Sequence, residues 1–228
     1  MPNFKYRLSM KKKELKILKD LFKDSNEIDI YLKKVEEEYR PYSAANYLYN
    51  LILKEYEDNK VINIKKNSYE DNFIELLWAT LDAWNMNSRG AQLVDIDDFK
   101  TNLNNYANDI ESLKKYSIED LSEKNDKAEN IFNQLKNLKL TNTKTKLVTF
   151  SKTMHFLLPN LIVPIDRKYT LKFFKLNIIN AKYEFRLFKN IESAFGLFSS
   201  EVNLDDFVNN ESQWCKYKTK IIDNIIIS

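Results

Sequence analysis

The sequence predicts an all-α protein, and three observations carry that reading. Apolar residues recur at helical spacing along nearly the whole chain, turn chemistry is scarce, and the composition suits a packed core. Only two glycines and four prolines occur in 228 residues. That is too few for the many tight turns of an all-β domain or for a glycine-rich dinucleotide loop. Hydrophobic residues make up 43% of the chain and aromatic residues 13%. Such a chain has enough apolar surface to offset the entropy of ordering, so it is expected to fold, and its length suits one large unit or two small lobes.

The elements follow from the apolar stripes. Leu15, Leu18, Leu21 and Phe22 form the first, and Ile28, Tyr31, Leu32, Val35 and Tyr39 the second, which Pro41 closes because proline cannot continue a helix. Leu48, Leu51, Ile52 and Tyr56 form a third. Val61–Ile64 reads as a short strand or an extended linker, and Asn59–Tyr69 as a lobe boundary that divides residues 1–68 from residues 69–228. After it, Phe73, Ile74, Leu77, Trp78 and Leu81 open a more hydrophobic helix. Further amphipathic stretches are expected at Ile96–Tyr106, Ala128–Leu138, Leu147–Leu158, Phe185–Phe198 and Trp214–Ile227.

Several function classes are disfavoured by what is scarce. Met1–Lys13 lacks the apolar run of a secretory leader, and no uninterrupted stretch of about 18 apolar residues suggests a membrane span, so a cytoplasmic, membrane-free protein is expected. One cysteine, Cys215, and one histidine, His155, cannot assemble a zinc site, and neither a metal nor another cofactor is expected. His155 lies in an apolar stretch without any nucleophile motif, which predicts a buried, hydrogen-bonded structural role. Asp95 and Asp98 are spaced as a helix start, where negative charge is favourable, so capping is preferred to a metal-dependent nuclease site. The net charge of +3 is mild, and a nucleic-acid surface would have to be a local basic patch.

Asn130–Thr170 holds the most informative break in the helical pattern. Helix-like residues end near Leu138, the polar run Lys139–Lys146 follows, and a second helix then carries Leu147, Phe150, Met154 and Leu158. This is a helix, a short polar hairpin and a helix. Next comes Pro159-Asn-Leu-Ile-Val-Pro-Ile-Asp166, where two prolines impose extended backbone, and Arg167–Phe174 reads as another helix. Asp166 is thereby placed at a helix N-terminus, where a carboxylate caps backbone N–H groups.

That order resembles the helix-hairpin-helix superfamily of DNA glycosylases, in which a hairpin grips the DNA backbone and a proline-containing loop after its second helix presents an aspartate. Val163-Pro-Ile-Asp166 looks like that loop. Asn72-Phe-Ile-Glu-Leu-Leu-Trp-Ala-Thr-Leu-Asp-Ala-Trp-Asn-Met-Asn-Ser-Arg-Gly-Ala-Gln92 is similar to the family's early core helix and the pocket segment after it. The resemblance spans Tyr69–Phe174 and implies a two-lobed fold with a cleft between the lobes. It also implies a monomer acting on double-stranded DNA by hydrolysing an N-glycosidic bond after the nucleotide is flipped out. Asp166 would be the catalytic carboxylate, stabilising the cationic sugar and orienting water. Trp78, Trp84, Asn85, Asn87 and Arg89 would line the base pocket, although Trp78 also shares the core stripe of its helix. Thr141, Thr143, Lys144, Lys146, Lys152, Arg167 and Lys168 would hold the DNA backbone. Where the family has Leu-Pro-Gly-Val-Gly, this chain has Leu140-Thr-Asn-Thr-Lys144, so side chains rather than glycine N–H groups are expected to meet phosphate. The competing expectation is a non-catalytic helical module, binding DNA or protein, that keeps the architecture without the reaction.

Overall fold

The computed structural model of the chain describes residues 4–22, 25–40, 43–58, 61–63, 68–87, 92–122, 127–176, 183–209, 211–212 and 214–228, the first nine of these by backbone alone. Most of them are helical. Three helices come first: α1 (Phe4–Leu21), α2 (Ser25–Glu38) and α3 (Ala44–Glu57). A minimal antiparallel ladder follows, with β1 (Ile62–Asn63) set against β2 (Ser68–Tyr69) so that Ile62 faces Tyr69 and Asn63 faces Ser68. Then come α4 (Asp71–Ala83), α5 (Ile96–Asn104), α6 (Ala107–Glu111), a 3-10 turn (Ile118–Leu121), α7 (Lys127–Leu135), α8 (Leu147–Leu157), a π turn (Arg167–Leu171), α9 (Glu184–Glu201), a second 3-10 turn (Leu204–Phe207) and α10 (Lys218–Ile227).

Each apolar stripe predicted a helix, and each helix exists. Their ends follow local chemistry. Ser43 caps α3 by accepting from Asn46 N–H, and Asp95 caps α5 by accepting from Asp98 N–H at 2.9 Å. The capping role read for Asp95 is therefore the observed one. The hairpin expected at Lys139–Lys146 is not free-standing. It docks on the segment after α4 through a bridge between Leu93 and Thr141, with Val94 N–H donating to Leu140 O and Asn142 N–H to Gln92 O.

The helices before residue 69 pack on those after it: α1 lies along α9, α2 against α10, and α3 against both α4 and α8. One apolar core results, running from Leu18 to Ile226. At its centre α8 is buried at every position but Val148, including Thr149, Ser151, Lys152, Thr153 and His155. Polar groups inside a core require partners. Most of those on α8 bond to the segment Pro159–Asp166 or to the end of α4, and this builds the site.

Candidate functional site

The first wall of the site is the end of α4. Asn85 sits at φ 63°, in the left-handed region that asparagine tolerates better than most residues. There Asn85 N–H donates to Asp82 O at 2.8 Å and Met86 N–H to Leu81 O at 3.0 Å, the paired bonds of a Schellman ending. The chain reverses sharply and leaves Trp84 and Asn85 on a cleft. Trp84 is fixed from behind: its Nε1–H donates to Ala45 O at 3.2 Å, and its ring stacks on Tyr49 with centroids 5.6 Å apart.

The second wall is the extended segment Pro159–Asp166, whose backbone polar groups are met almost one by one. Thr219 Oγ1 donates to Pro159 O, and Ile118 N–H donates to Asn160 O at 2.9 Å. His155 Nδ1 lies 2.8 Å from Ile162 O, and since a carbonyl only accepts, Nδ1 carries the proton. His155 Nε2 then accepts from Tyr49 O–H at 3.3 Å. Complete burial pushes the His155 pKa down to about 3, so the ring is neutral and structural, as its setting predicted. Glu192 Oε2 accepts from Val163 N–H at 3.2 Å, and Ser151 Oγ accepts from Ile165 N–H at 3.0 Å.

This anchored segment delivers Asp166. Its Oδ1 accepts from the N–H groups of Lys168 (2.7 Å) and Tyr169 (3.4 Å), while its own N–H donates to Thr170 Oγ1 at 3.0 Å. Oδ2 faces the ammonium of Lys152 at 2.9 Å. Burial by itself would raise this carboxyl, but the Lys152 charge and hydrogen bond and the two backbone donors outweigh it and hold the pKa below the usual carboxylate range. Asp166 is thus a fixed carboxylate whose side chain stays 26% exposed, against 7% for Lys152. Lys152 also donates to Trp84 O at 3.3 Å and lies 5.6 Å from the Trp84 ring centroid, which ties the two walls together.

Between the walls lies a cleft of about 630 Å³, within the range that takes a small organic ligand. It gathers Trp84, Asn85, Thr143, Lys152, Asp166, Arg167 and Lys168 from the residues singled out in the sequence. Arg167 links this wall to the docked hairpin, its guanidinium donating to Thr145 Oγ1 at 2.5 Å. Other expected members are not brought to the cleft. Trp78 packs against the core and donates its Nε1–H to Val94 O at 3.1 Å, a bond that holds the segment after α4. Asn87 is engaged on both sides of its amide, donating to Asp82 at 2.8 Å and accepting from Leu93 N–H at 2.8 Å. Thr141 is buried and donates to Gln92 O at 2.6 Å, so it fastens the hairpin. Lys144 and Lys146 are on the hairpin but outside the cleft lining, and Arg89 lies outside the described residues.

Sequence reading missed the contribution of α10. Lys220 and Asp223 line the cleft, paired at 2.6 Å, with side chains only 13% and 6% exposed. The available signal was a charged pair at i, i+3 inside an isoleucine-rich helix, where a merely solvated pair is not expected. Asn46 of α3 and Ile227 also reach the lining.

The fold and site define a helical protein with a cleft lined by Trp84 and Tyr169, four cationic side chains and two aspartates, Asp166 and Asp223. Compared with known proteins the chain finds no match: no family model, no curated protein and no solved structure aligns with it.

Proposed function

We propose that this protein is a DNA glycosylase of two-lobed helix-hairpin-helix type, removing a damaged or modified base flipped from duplex DNA, in repair or in defence against phage. The observation that carries the reading is the position of Asp166, ionised and part-exposed, in a cleft that also holds an indole and several cations. In the reaction the C1′–N bond breaks with its electron pair leaving on the base, C1′ becomes cationic, and a water oxygen bonds to C1′. The water gives up a proton, which ends on the departing base. A carboxylate beside the sugar stabilises the cation as it forms. Its depressed pKa makes Asp166 a weak proton acceptor, so its role is electrostatic and orienting. Lys152 is held by Asp166 and by Trp84 O, and the reaction proposed is simple hydrolysis, which needs no amine nucleophile. Arg167 and Lys168 at the mouth, with Lys144 and Lys146 on the hairpin, supply charge for phosphates.

A second reading is a non-catalytic helical module that binds DNA or protein. It is favoured by the hairpin, where Asn142 N–H and Thr143 N–H are engaged by Gln92 O and Thr141 Oγ1 and do not point to an outside phosphate. Duplexes carrying a range of damaged and hypermodified bases, treated with alkali after incubation, separate the two. On one such substrate the wild type is expected to leave alkali-labile sites, and Asp166→Asn to slow their formation by at least about 100-fold with duplex affinity unchanged. Steeply salt-dependent duplex binding without product from any substrate establishes the module instead.

A further inference from the structure

The cleft has a neighbour at Trp84. A second compartment of about 220 Å³ adjoins it there, bounded by residues of α2, α3 and α10 and of the segment before α10. Asn46, Trp84, Lys220 and Ile227 line both spaces. Tyr39, Trp214 and Asn224 line only the smaller one.

The chemistry of the small space is that of a planar, hydrogen-bonding ring. Aromatic side chains supply stacking surface, and Trp84 is braced by the Tyr49 ring behind it. Lys220 is the cation common to both spaces, 5.5 Å from the Trp84 centroid and 5.3 Å from that of Tyr49. Asn46 donates through its Nδ2 to Arg40 O at 3.0 Å, and Asn224 through its Nδ2 to Trp214 O at 2.6 Å. Both amides are thereby held in place, and both line the smaller space together with Lys220. The larger space on the Asp166 side has room for a nucleotide on its own, so the smaller one is surplus to a single flipped base.

We propose that the second compartment receives the unpaired base next to the one whose sugar faces Asp166, so that the site takes two adjacent extrahelical nucleobases. This rests on the DNA reading above. Stacking on aromatic side chains tolerates any base, so the compartment selects for the unpaired state of the neighbour and not for its identity.

The test is binding, not excision. Labelled duplexes with no bulge, one bulged thymine and two bulged thymines are titrated with wild type, Trp214→Leu and Tyr39→Ala, each checked for a cooperative thermal transition. Wild type is expected to bind the two-base bulge about tenfold more tightly than the one-base bulge, in line with one additional base–aromatic stack. Either variant should lose that increment and keep its one-base affinity. Equal wild-type affinity for the two bulges overturns the proposal, as does a variant that weakens both bulges alike. If the bulge affinities are equal while excision still depends on Asp166, the two-base site falls and the glycosylase reading stands. Absence of binding to every duplex removes both.

Discussion

Asp166 and Lys152 show how burial sets chemistry at single residues. The carboxylate keeps its charge because a nearly buried ammonium and two backbone N–H groups face it, and it keeps its access to the cleft because only part of it is covered. Glu192 has the opposite environment. It is fully buried, its Oε2 has Val163 N–H as partner, and its Oε1 has none among the described residues. Burial pushes its carboxyl pKa well up, which favours the protonated acid under the site segment. The native state therefore keeps a proton that the unfolded chain gives up above its ordinary value of 4.5, and stability is lost as pH rises beyond that point. His155 works in the other direction. Its native pKa of about 3 lies below the ordinary 6.5, and stability is lost as pH falls from 6.5 towards 3. Glu192→Gln keeps an acceptor for Val163 N–H and cannot ionise. Its stability relative to wild type should be higher near pH 8 than near pH 4, as read by urea unfolding at the two values. An equal effect at both values would show that Glu192 is ionised in the native protein.

At the scale of elements, α8 and the segment after it form one device. The helix is buried nearly all round, and His155 and Ser151 hold the next extended stretch by its backbone. Ser151→Ala leaves Ile165 N–H buried without its acceptor, which costs about 1–3 kcal/mol. Because Ile165 immediately precedes Asp166, the Ile165 amide should lose protection in hydrogen exchange, and, on the glycosylase proposal, the same variant should lower kcat more than substrate affinity. Unchanged protection would show that Ser151 does not hold the segment. The helices themselves were legible, since a stripe such as Phe73, Ile74, Leu77 and Leu81 has only one regular solution. The π turn was not. Arg167–Leu171 has a helical composition, but Leu171 N–H reaches past the usual acceptor to Asp166 O at 2.9 Å, a register that depends on Asp166 being fixed from behind. Trp78 and Thr141 show the same limit, because periodicity identified their elements and not which surface their polar atoms would meet.

For the whole molecule, α9 is the backing on which the site segment rests. Gly196 lets it approach the first 3-10 turn so closely that a Cβ would stand 2.6 Å from Ile118 O and 2.9 Å from Ser122 N. Ile118 in turn donates to Asn160 O in the site segment. Gly196→Ala should therefore destabilise the protein by about 1–3 kcal/mol, lowering Tm by several degrees, although alanine is ordinarily the better helix former. A rise in Tm would mean that the helix and turn are not pressed together. The sequence by itself determined the helical class, the helix positions, the polar hairpin and the placing of Asp166 as a cap after an extended proline segment. Those follow from local periodicity, proline stereochemistry and capping, which act within a few residues. The core stripe of α4 already favoured Trp84 over Trp78 for a cleft, whereas only the tertiary structure decided that the hairpin docks on Gln92–Val94 and that Lys220 and Asp223 of α10 join the cleft lining. Which residues share a cavity depends on how distant helices pack, and a charge pair such as Lys152 with Asp166 exists only once α8 and the following segment have been folded back on each other.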